Sequence, residues 1–318
     1  MRIAVVGKGG SGKTTVSALL AAYFSQVGKK PLLVDADLNV HIPALFMEKK
    51  FPEEKYLSSP KNVEAIKTYL RGKNDRITSL VTFRKTTPPT EKSQFFVLKD
   101  YHNPMYQFAE DVGKLFLMVV GSYRGDEIGA SCYHNNLAIL ENLLSHMQDQ
   151  EAVVIVDMVA GVDAFASSLH AQFDMLLLVV EPTKKGLEVR QQYADLAKSA
   201  GIFDQLFAVG NKCLDAADEE FLQSMLPQEK LLGMLGMSSY LRTVEKTGNL
   251  LSFSGLETQY QSLFARIAEL LQSLEEPGDV RLEKLYALHR KYVAQSFIKE
   301  RFGDLTGQID EQFSFKKL

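Results

Sequence analysis
Cysteine is scarce in these 318 residues: Cys132 and Cys213 are the only two, and their wide separation offers no disulfide framework. That usage suits a reducing compartment. Long apolar runs are missing as well; none approaches the roughly 20 residues that a membrane helix needs. Charge of one sign is not in excess, since 36 Lys and Arg face 39 Asp and Glu for a formal net charge of −3. A protein that coats nucleic acid would be strongly basic, so neither nucleic acid nor membrane is an expected partner, although local basic patches stay open. Tryptophan is absent, yet 46% hydrophobic and 24% charged residues make an ordinary globular composition. The length allows one α/β domain of about 250 residues plus additions. An apolar run starts at Ile3, which leaves no room for a leader peptide, and the expected location is the cytoplasm.

What is present in strength is the opening, MRIAVVGKGGSGKTT. Residues 3–6 read as a fully buried strand, residues 7–12 as a glycine-rich loop, and residues 14–24 as a helix. Gly7, Gly12, Lys13 and Thr14 meet the spacing G-x-x-x-x-G-K-[ST]. Glycines let the backbone wrap a phosphate with its N–H groups inward, and the helix adds the positive end of its dipole. Gly9, Gly10, Ser11, Gly12, Lys13, Thr14 and Thr15 are therefore the candidate nucleotide cradle. Lys13 is placed to reach the β- and γ-phosphates, and the Thr14 hydroxyl to ligate Mg2+. A turn that binds nothing has no use for the Lys-Thr pair.

Lys8, directly after the first glycine, gives GKGGSGKT with two lysines. This resembles the deviant Walker A of the P-loop ATPase group that includes MinD, ParA and the nitrogenase iron protein. The resemblance implies a homodimer with ATP sandwiched between subunits, in which Lys8 is the signature lysine reaching the partner's nucleotide. It also implies a doubly wound, mainly parallel α/β sheet flanked by helices.

Further along, residues 32–34 form a second short strand ending in Asp35-Ala36-Asp37. A carboxylate there lies on the ligand-binding side of a parallel sheet. In the resembled family the second Asp of such a pair positions the attacking water, which makes Asp37 the candidate; the alternative is an Asp that caps the next helix. Residues 43–111 break the α/β rhythm and are rich in Lys and Arg, as an insertion carried by the core. Residues 62–70 read as a short helix and 94–98 as a short strand. The insertion is either a solvated face or a docking surface for an acidic partner. Strands are expected at 115–121, 152–156, 175–180 and 206–210, with helices through residue 144 and over 187–200.

The strand at 152–156 runs into Asp157, a Walker B pattern, so Asp157 joins Thr14 and Asp37 in the expected Mg2+ set. Gly161 would let the backbone touch the γ-phosphate. Asn211 and Lys212 suit a purine, the amide on the ring edge and the lysine stem across the base. Guanine readers carry Asp three residues after the Asn, whereas Leu214 stands here, which favours ATP.

Residues 34–37, 157–161, 179–183 and 209–212 together look like the CooC subfamily, ATPases that assist nickel insertion into carbon monoxide dehydrogenase. The resemblance covers residues 1–42 and about 112–250. Members carry Cys-x-Cys ahead of a helix, a metal site at the dimer interface; here the pattern reads Cys132-Tyr133-His134. Doubled across a dimer, Cys132 and His134 would give two sulfur and two nitrogen ligands, a set suited to Zn2+ or Ni2+. The bland alternative is a buried Cys beside a helix-capping His. A second departure is Asp163-Ala164, where the subfamily tends to have Glu-His.

Residues 231–235 read as a seventh strand and 257–274 as a helix, closing an ATPase domain over 1–274. Pro277-Gly278 breaks the chain. Beyond it Leu282, Leu285, Tyr286, His289, Tyr292, Val293 and Phe297 recur at helical spacing, a C-terminal extension over 275–318. It packs on the core or on a dimer partner, its balanced charge arguing against a membrane anchor. The expectation is an Mg2+-dependent ATPase acting as a nucleotide-gated homodimer on a client protein. The client competes between a metalloenzyme under maturation, a ParA/MinD-like positioning or partition target, and an assembly of which this chain is a nucleotide-locked subunit with little turnover, docking through the insertion and the C-terminal helix.

Overall fold
The computed structural model describes residues 1–122, 134–162, 165 and 168–317, with the backbone alone at 134 and 135. Its strands in chain order are β1 (Arg2–Gly7), β2 (Leu32–Ala36), β3 (Phe96–Val97), β4 (Glu110–Asp111), β5 (Phe116–Val119), β6 (Met147–Gln148), β7 (Val154–Met158), β8 (Met175–Val180), β9 (Leu206–Cys213) and β10 (Leu231–Gly236). Eight form one sheet in the order β10-β9-β8-β1-β7-β2-β5-β4. Every pairing in it is parallel except the edge pair β4–β5. β3 and β6 make a separate two-stranded parallel ribbon. The expected doubly wound, mainly parallel sheet is the observed one.

Helices cover both faces, which is why the central strands are apolar at consecutive rather than alternate positions. Ala4 and Val6 of β1 point into one core and Ile3 and Val5 into the other. The first core takes α3 (Pro60–Arg71), α4 (His134–Ser145), α5 (Lys184–Ser199) and α6 (Ala216–Met225). The second takes α1 (Lys13–Gln26) and α8 (Thr258–Ser273). The short α2 (Pro43–Phe46) follows β2, and α7 (Ser239–Thr247) follows β10. Among the described residues no helix is long and apolar enough to cross a membrane.

Several boundaries differ from the sequence reading. β9 continues through Asn211 and Lys212 to Cys213 because β10 supplies its pairing partners, Leu235 for Asn211 and Gly236 for Cys213. α6 and α7, not anticipated, are each N-capped by a side chain, Asp215 accepting from the Asp218 amide and Ser238 from the Leu241 amide. The helical spacing read from Leu282 to Phe297 is split into α9 (Gly278–Val293) and α10 (Ser296–Phe302). The turn lets Ile298 and Leu305 pack back on Val293, and it leaves Phe297 exposed.

α9 packs against this same chain. Arg281 binds Asp174 at 2.7 Å and Asp149 at 3.3 Å, while Arg2 binds Asp149 at 2.8 Å through Nε. All four groups are buried. Against the upward push of burial, the Arg2 guanidinium holds the Asp149 carboxyl below the usual carboxylate range. An aromatic cluster of Phe95, Phe313 and Phe315 joins the insertion to the last residues described.

Candidate functional site
The chain crosses from one side of β1 to the other after β7, so a crevice opens beyond the C-terminal ends of β1, β2 and β7. A cleft of about 570 Å3 lies there. Gly9, Gly10, Gly12, Lys13, Thr14, Thr15, Asp37, Asn211 and Lys212 line it, and residues of the β10–α7 segment form its far wall. Most of the residues that sequence reasoning assigned to the nucleotide thus meet around one cavity, while Lys8, Ser11, Asp157 and Gly161 lie outside its lining.

The loop is built by close approach. Gly7 sits at φ +147, and a Cβ there would come within 2.7 Å of the Val179 carbonyl oxygen. Gly12, at φ +96, is the N-cap of α1, and a Cβ on it would lie 2.1 Å from the Asn211 amide nitrogen. Only glycine fits both conformations. No side chain caps α1, and no acidic residue occupies its first turn, which keeps its N-terminus suited to an anion. Lys13 is buried, and its Nζ donates to the Lys8 carbonyl at 3.2 Å. The Ser11 hydroxyl is buried without a partner among the described residues.

Asp157, next to last in β7, accepts from Thr14 Oγ1 at 2.7 Å and from Ser17 Oγ at 3.0 Å. Burial pushes its carboxyl up to about 6, against the pull of those hydrogen bonds. Asp35 stands opposite it in the β2–β7 register. Burial, and then the Asp157 charge, raise Asp35 to about 8, because two buried carboxyls side by side resist joint ionisation. Asp35 accepts from the amides of Asp37, His41 and Ile42 at 3.0–3.1 Å and so shapes the segment that carries Asp37. Asp37 itself reaches the cleft and accepts from the Asn39 amide at 3.0 Å.

Gly161 donates its amide to the Gly7 carbonyl at 3.2 Å, which ties the segment after β7 to the start of the glycine loop. Asn211 donates to the Ser11 carbonyl at 2.7 Å, and Lys212 donates to that of Gly10, so both brace the loop backbone. Lys8 lies at the rim, 37% exposed, with its Nζ 2.9 Å from Glu181 Oε2. Lys212 takes the other oxygen, Oε1, at 3.0 Å. Against the effect of burial, these two lysines hold the Glu181 carboxyl below its usual range.

Sequence reasoning missed Ser17 and gave no role to Asp35 or Glu181, although both lie in stretches it singled out. Ser17 lies one helical turn after Thr14, a spacing that could have flagged it. Glu181 lay in the 179–183 motif but was given no role, because its partners are 173 and 31 residues away. Cys132, Asp163 and Ala164 fall outside the described residues, and of His134 only the backbone, at the start of α4, is described. Among the described residues no three His, Cys, Asp or Glu side chains gather into a metal-holding group. Cys213 is buried, and burial pushes its thiol up to about 11, which leaves it inert.

Residues 3–282 match the family described as CobQ/CobB/MinD/ParA nucleotide binding domain. The carbon monoxide dehydrogenase accessory protein CooC of Rhodospirillum rubrum is 26% identical over 249 residues, covering 78% of this chain and 88% of that protein. An uncharacterized ATP-binding protein of Methanocaldococcus jannaschii is 29% identical over 248 residues, again 78% and 88% of the two chains. Among solved structures, a plasmid partition protein of Borrelia burgdorferi bound to AMPPNP aligns with a TM-score of 0.54 at 15% identity, over 86% of this chain and 98% of that one. The cell division ATPase MinD of Pyrococcus furiosus aligns with a TM-score of 0.51 at 19% identity, over 86% and 99%. Likeness at that level of identity speaks for the fold alone. The match over 3–282 covers most of the chain, which therefore belongs to the CobQ/CobB/MinD/ParA family and is a P-loop, nucleotide-binding ATPase.

Proposed function
We propose that this ATPase works as a nucleotide-gated homodimeric switch, in which Lys8 of each subunit reaches the nucleotide held by the other. The position of Lys8 carries this reading. Lys13 already provides the cation inside the glycine loop, whereas Lys8 stands at the rim, partly exposed and held by Glu181. A second lysine at the rim would reach a facing copy once it leaves Glu181.

The chain's own groups suit the ligand. The unpartnered Ser11 hydroxyl and the uncapped start of α1 fit a phosphate. The Thr14 hydroxyl and the carboxylates of Asp37 and Asp157 make the all-oxygen donor set that Mg2+ takes. Bound there, Mg2+ would neutralise charge on the phosphate oxygens. Lys13 has protons to spare beyond the one given to the Lys8 carbonyl, and would hold the terminal phosphates. Asp37, on a segment that Asp35 shapes through three amides, would orient the attacking water. Release of phosphate would then relax residues 37–42 and 157–162, loosening the dimer and its grip on a client.

For the client, likeness to the CooC protein of Rhodospirillum rubrum favours maturation of a metalloenzyme. On this reading Cys132 and His134 of two subunits would share a Zn2+ or Ni2+ ion as substrate in transit. The test is the mass in solution with and without ATP and Mg2+, for the wild type and Lys8→Ala, with bound metal quantified. The expected result is a doubling with ATP that Lys8→Ala abolishes, with about one metal per dimer lost in Cys132→Ser. A monomer under every condition overturns the switch. A metal-free dimer overturns the maturation reading and leaves a positioning or assembly role.

A further inference from the structure
A second cleft, of about 670 Å3, lies between the insertion and the C-terminal helices. None of its lining residues belongs to the nucleotide site. α3 contributes Lys67, the following loop Arg84 and Lys85, and α10 contributes Arg301. No carboxylate lines it, and among the described residues none of these four cations has a carboxylate partner. They rest on carbonyls and rings instead. Lys67 donates to the Phe83 carbonyl at 2.9 Å, and the Arg84 guanidinium sits 4.1 Å from the centre of the Phe302 ring. Arg301 lies 5.3 Å from the same ring, and Lys85 lies 5.8 Å from that of Tyr292.

Some surface cations elsewhere in this chain pair with acids, as Lys92 does with Asp75 and Arg290 with Glu311, and others are solvated singly; what sets these four apart is that they gather around one hollow with no acid among its lining. Four unmatched cations around one concavity focus a positive potential that an isolated solvated lysine does not. The strain is visible at Lys67, where burial and then the neighbouring Arg84 charge lower the ammonium to about 8. The rim is apolar and open: Val81 is 65% exposed and Phe297 59%. Large exposed apolar side chains beside a charged hollow are the makings of a protein-binding patch.

We propose that this cleft docks an acidic segment of a partner protein, one with at least two carboxylates and an aromatic or aliphatic side chain. The carboxylates take Arg84 and Arg301, whose guanidinium forks are held in place by the Phe302 ring. The apolar side chain covers Phe297 and Val81. A nucleic-acid strand fits less well, because the cations close on one short hollow instead of tracking along a groove, and the rim is apolar.

The test is selection of a random peptide display library on the full chain, with the selected peptides then measured by fluorescence anisotropy. The expected consensus is acidic with an aromatic or aliphatic residue. Its affinity should fall by about tenfold or more in Arg301→Glu and in Phe297→Ser, the scale for removing one contact of a docked charge or anchor. Both positions are exposed, so ATP turnover and the thermal midpoint should stay at wild-type values and certify the fold. A neutral or basic consensus, no enrichment, or binding by either variant as tight as by the wild type overturns the proposal. Displacement of the peptides by an equal concentration of oligothymidylate also overturns it and reassigns the cleft to nucleic acid.

Discussion

Removing the Glu181 carboxylate should make the glycine loop a stronger anion trap, since that one group offsets the charge of both Lys8 and Lys212. We expect Glu181→Ala to bind a non-hydrolysable ATP analogue about two- to fivefold more tightly at low salt, the scale of a part-exposed ion pair. The gain should shrink as salt rises. Titration across ionic strength checks it; weaker binding would mean that Glu181 orders the two lysines more than it cancels them. Gly12→Ala should do the opposite. Its added methyl meets the Asn211 amide at a positive φ, a cost of roughly 1–3 kcal/mol that denaturant titration would report, together with loss of nucleotide binding. Asp157→Asn should leave folding nearly intact and cut ATP turnover by about 100-fold or more, the usual scale for an electrostatic group at a reacting centre. Lys13, Thr14 and Asp157 were legible because a local spacing or an apolar run announces them. The roles of Ser17 and Glu181 were not, since their main partners are brought by folding from 140 and 173 residues away; for Ser17 the one-turn spacing from Thr14 was the only local sign.

Elements were legible wherever burial wrote a long apolar run, as in β1 and β8, and less so where a partner decides. β9 outlasts its apolar stretch because β10 pairs with Asn211 and Cys213, which no local pattern announces. α6 and α7 did leave a sign, the capping residues Asp215 and Ser238, which the search for apolar periodicity passed over. The end of α4 holds a titratable group that bears on stability. His146 is fully buried, its Nδ1 lies 3.0 Å from the Asn142 carbonyl, and its Nε2 has no partner among the described residues. Burial, only partly opposed by that hydrogen bond, lowers its pKa to about 3. The unfolded chain therefore binds this proton from about 6.5 downward while the folded chain refuses it. Stability should fall as pH drops from 6.5 towards 3, by up to ~1.4 kcal/mol per pH unit from this group. His146→Gln should flatten that part of the curve in urea titrations run from pH 7 to pH 4; an unchanged slope would show that His146 is not the source.

At the scale of the whole molecule, the C-terminal extension is bound to the core by charge as well as by apolar contact. Arg281→Met should destabilise by about 3–5 kcal/mol, since it leaves Asp174 and Asp149 buried with one cation fewer. Replacing an exposed cation of the same helix, as in Lys291→Met, should cost almost nothing by the same denaturation assay. The packing of α9 on its own chain was among the readings the sequence allowed. Its partners were not legible, because Arg2, Asp149 and Asp174 look in sequence like ordinary charges flanking strands. The same network also orders events in time. During synthesis Arg2 emerges first, Asp149 and Asp174 much later, and Arg281 last. Until Arg281 emerges, a nascent chain that has already assembled its central sheet carries two buried acids against one guanidinium. The final settling of β1 and β8 would therefore wait on Arg281, about seventy positions beyond Gly210, where the last pairing of β8 is made, and a stalled or truncated product would be left with an unbalanced base that chaperones and proteases can find.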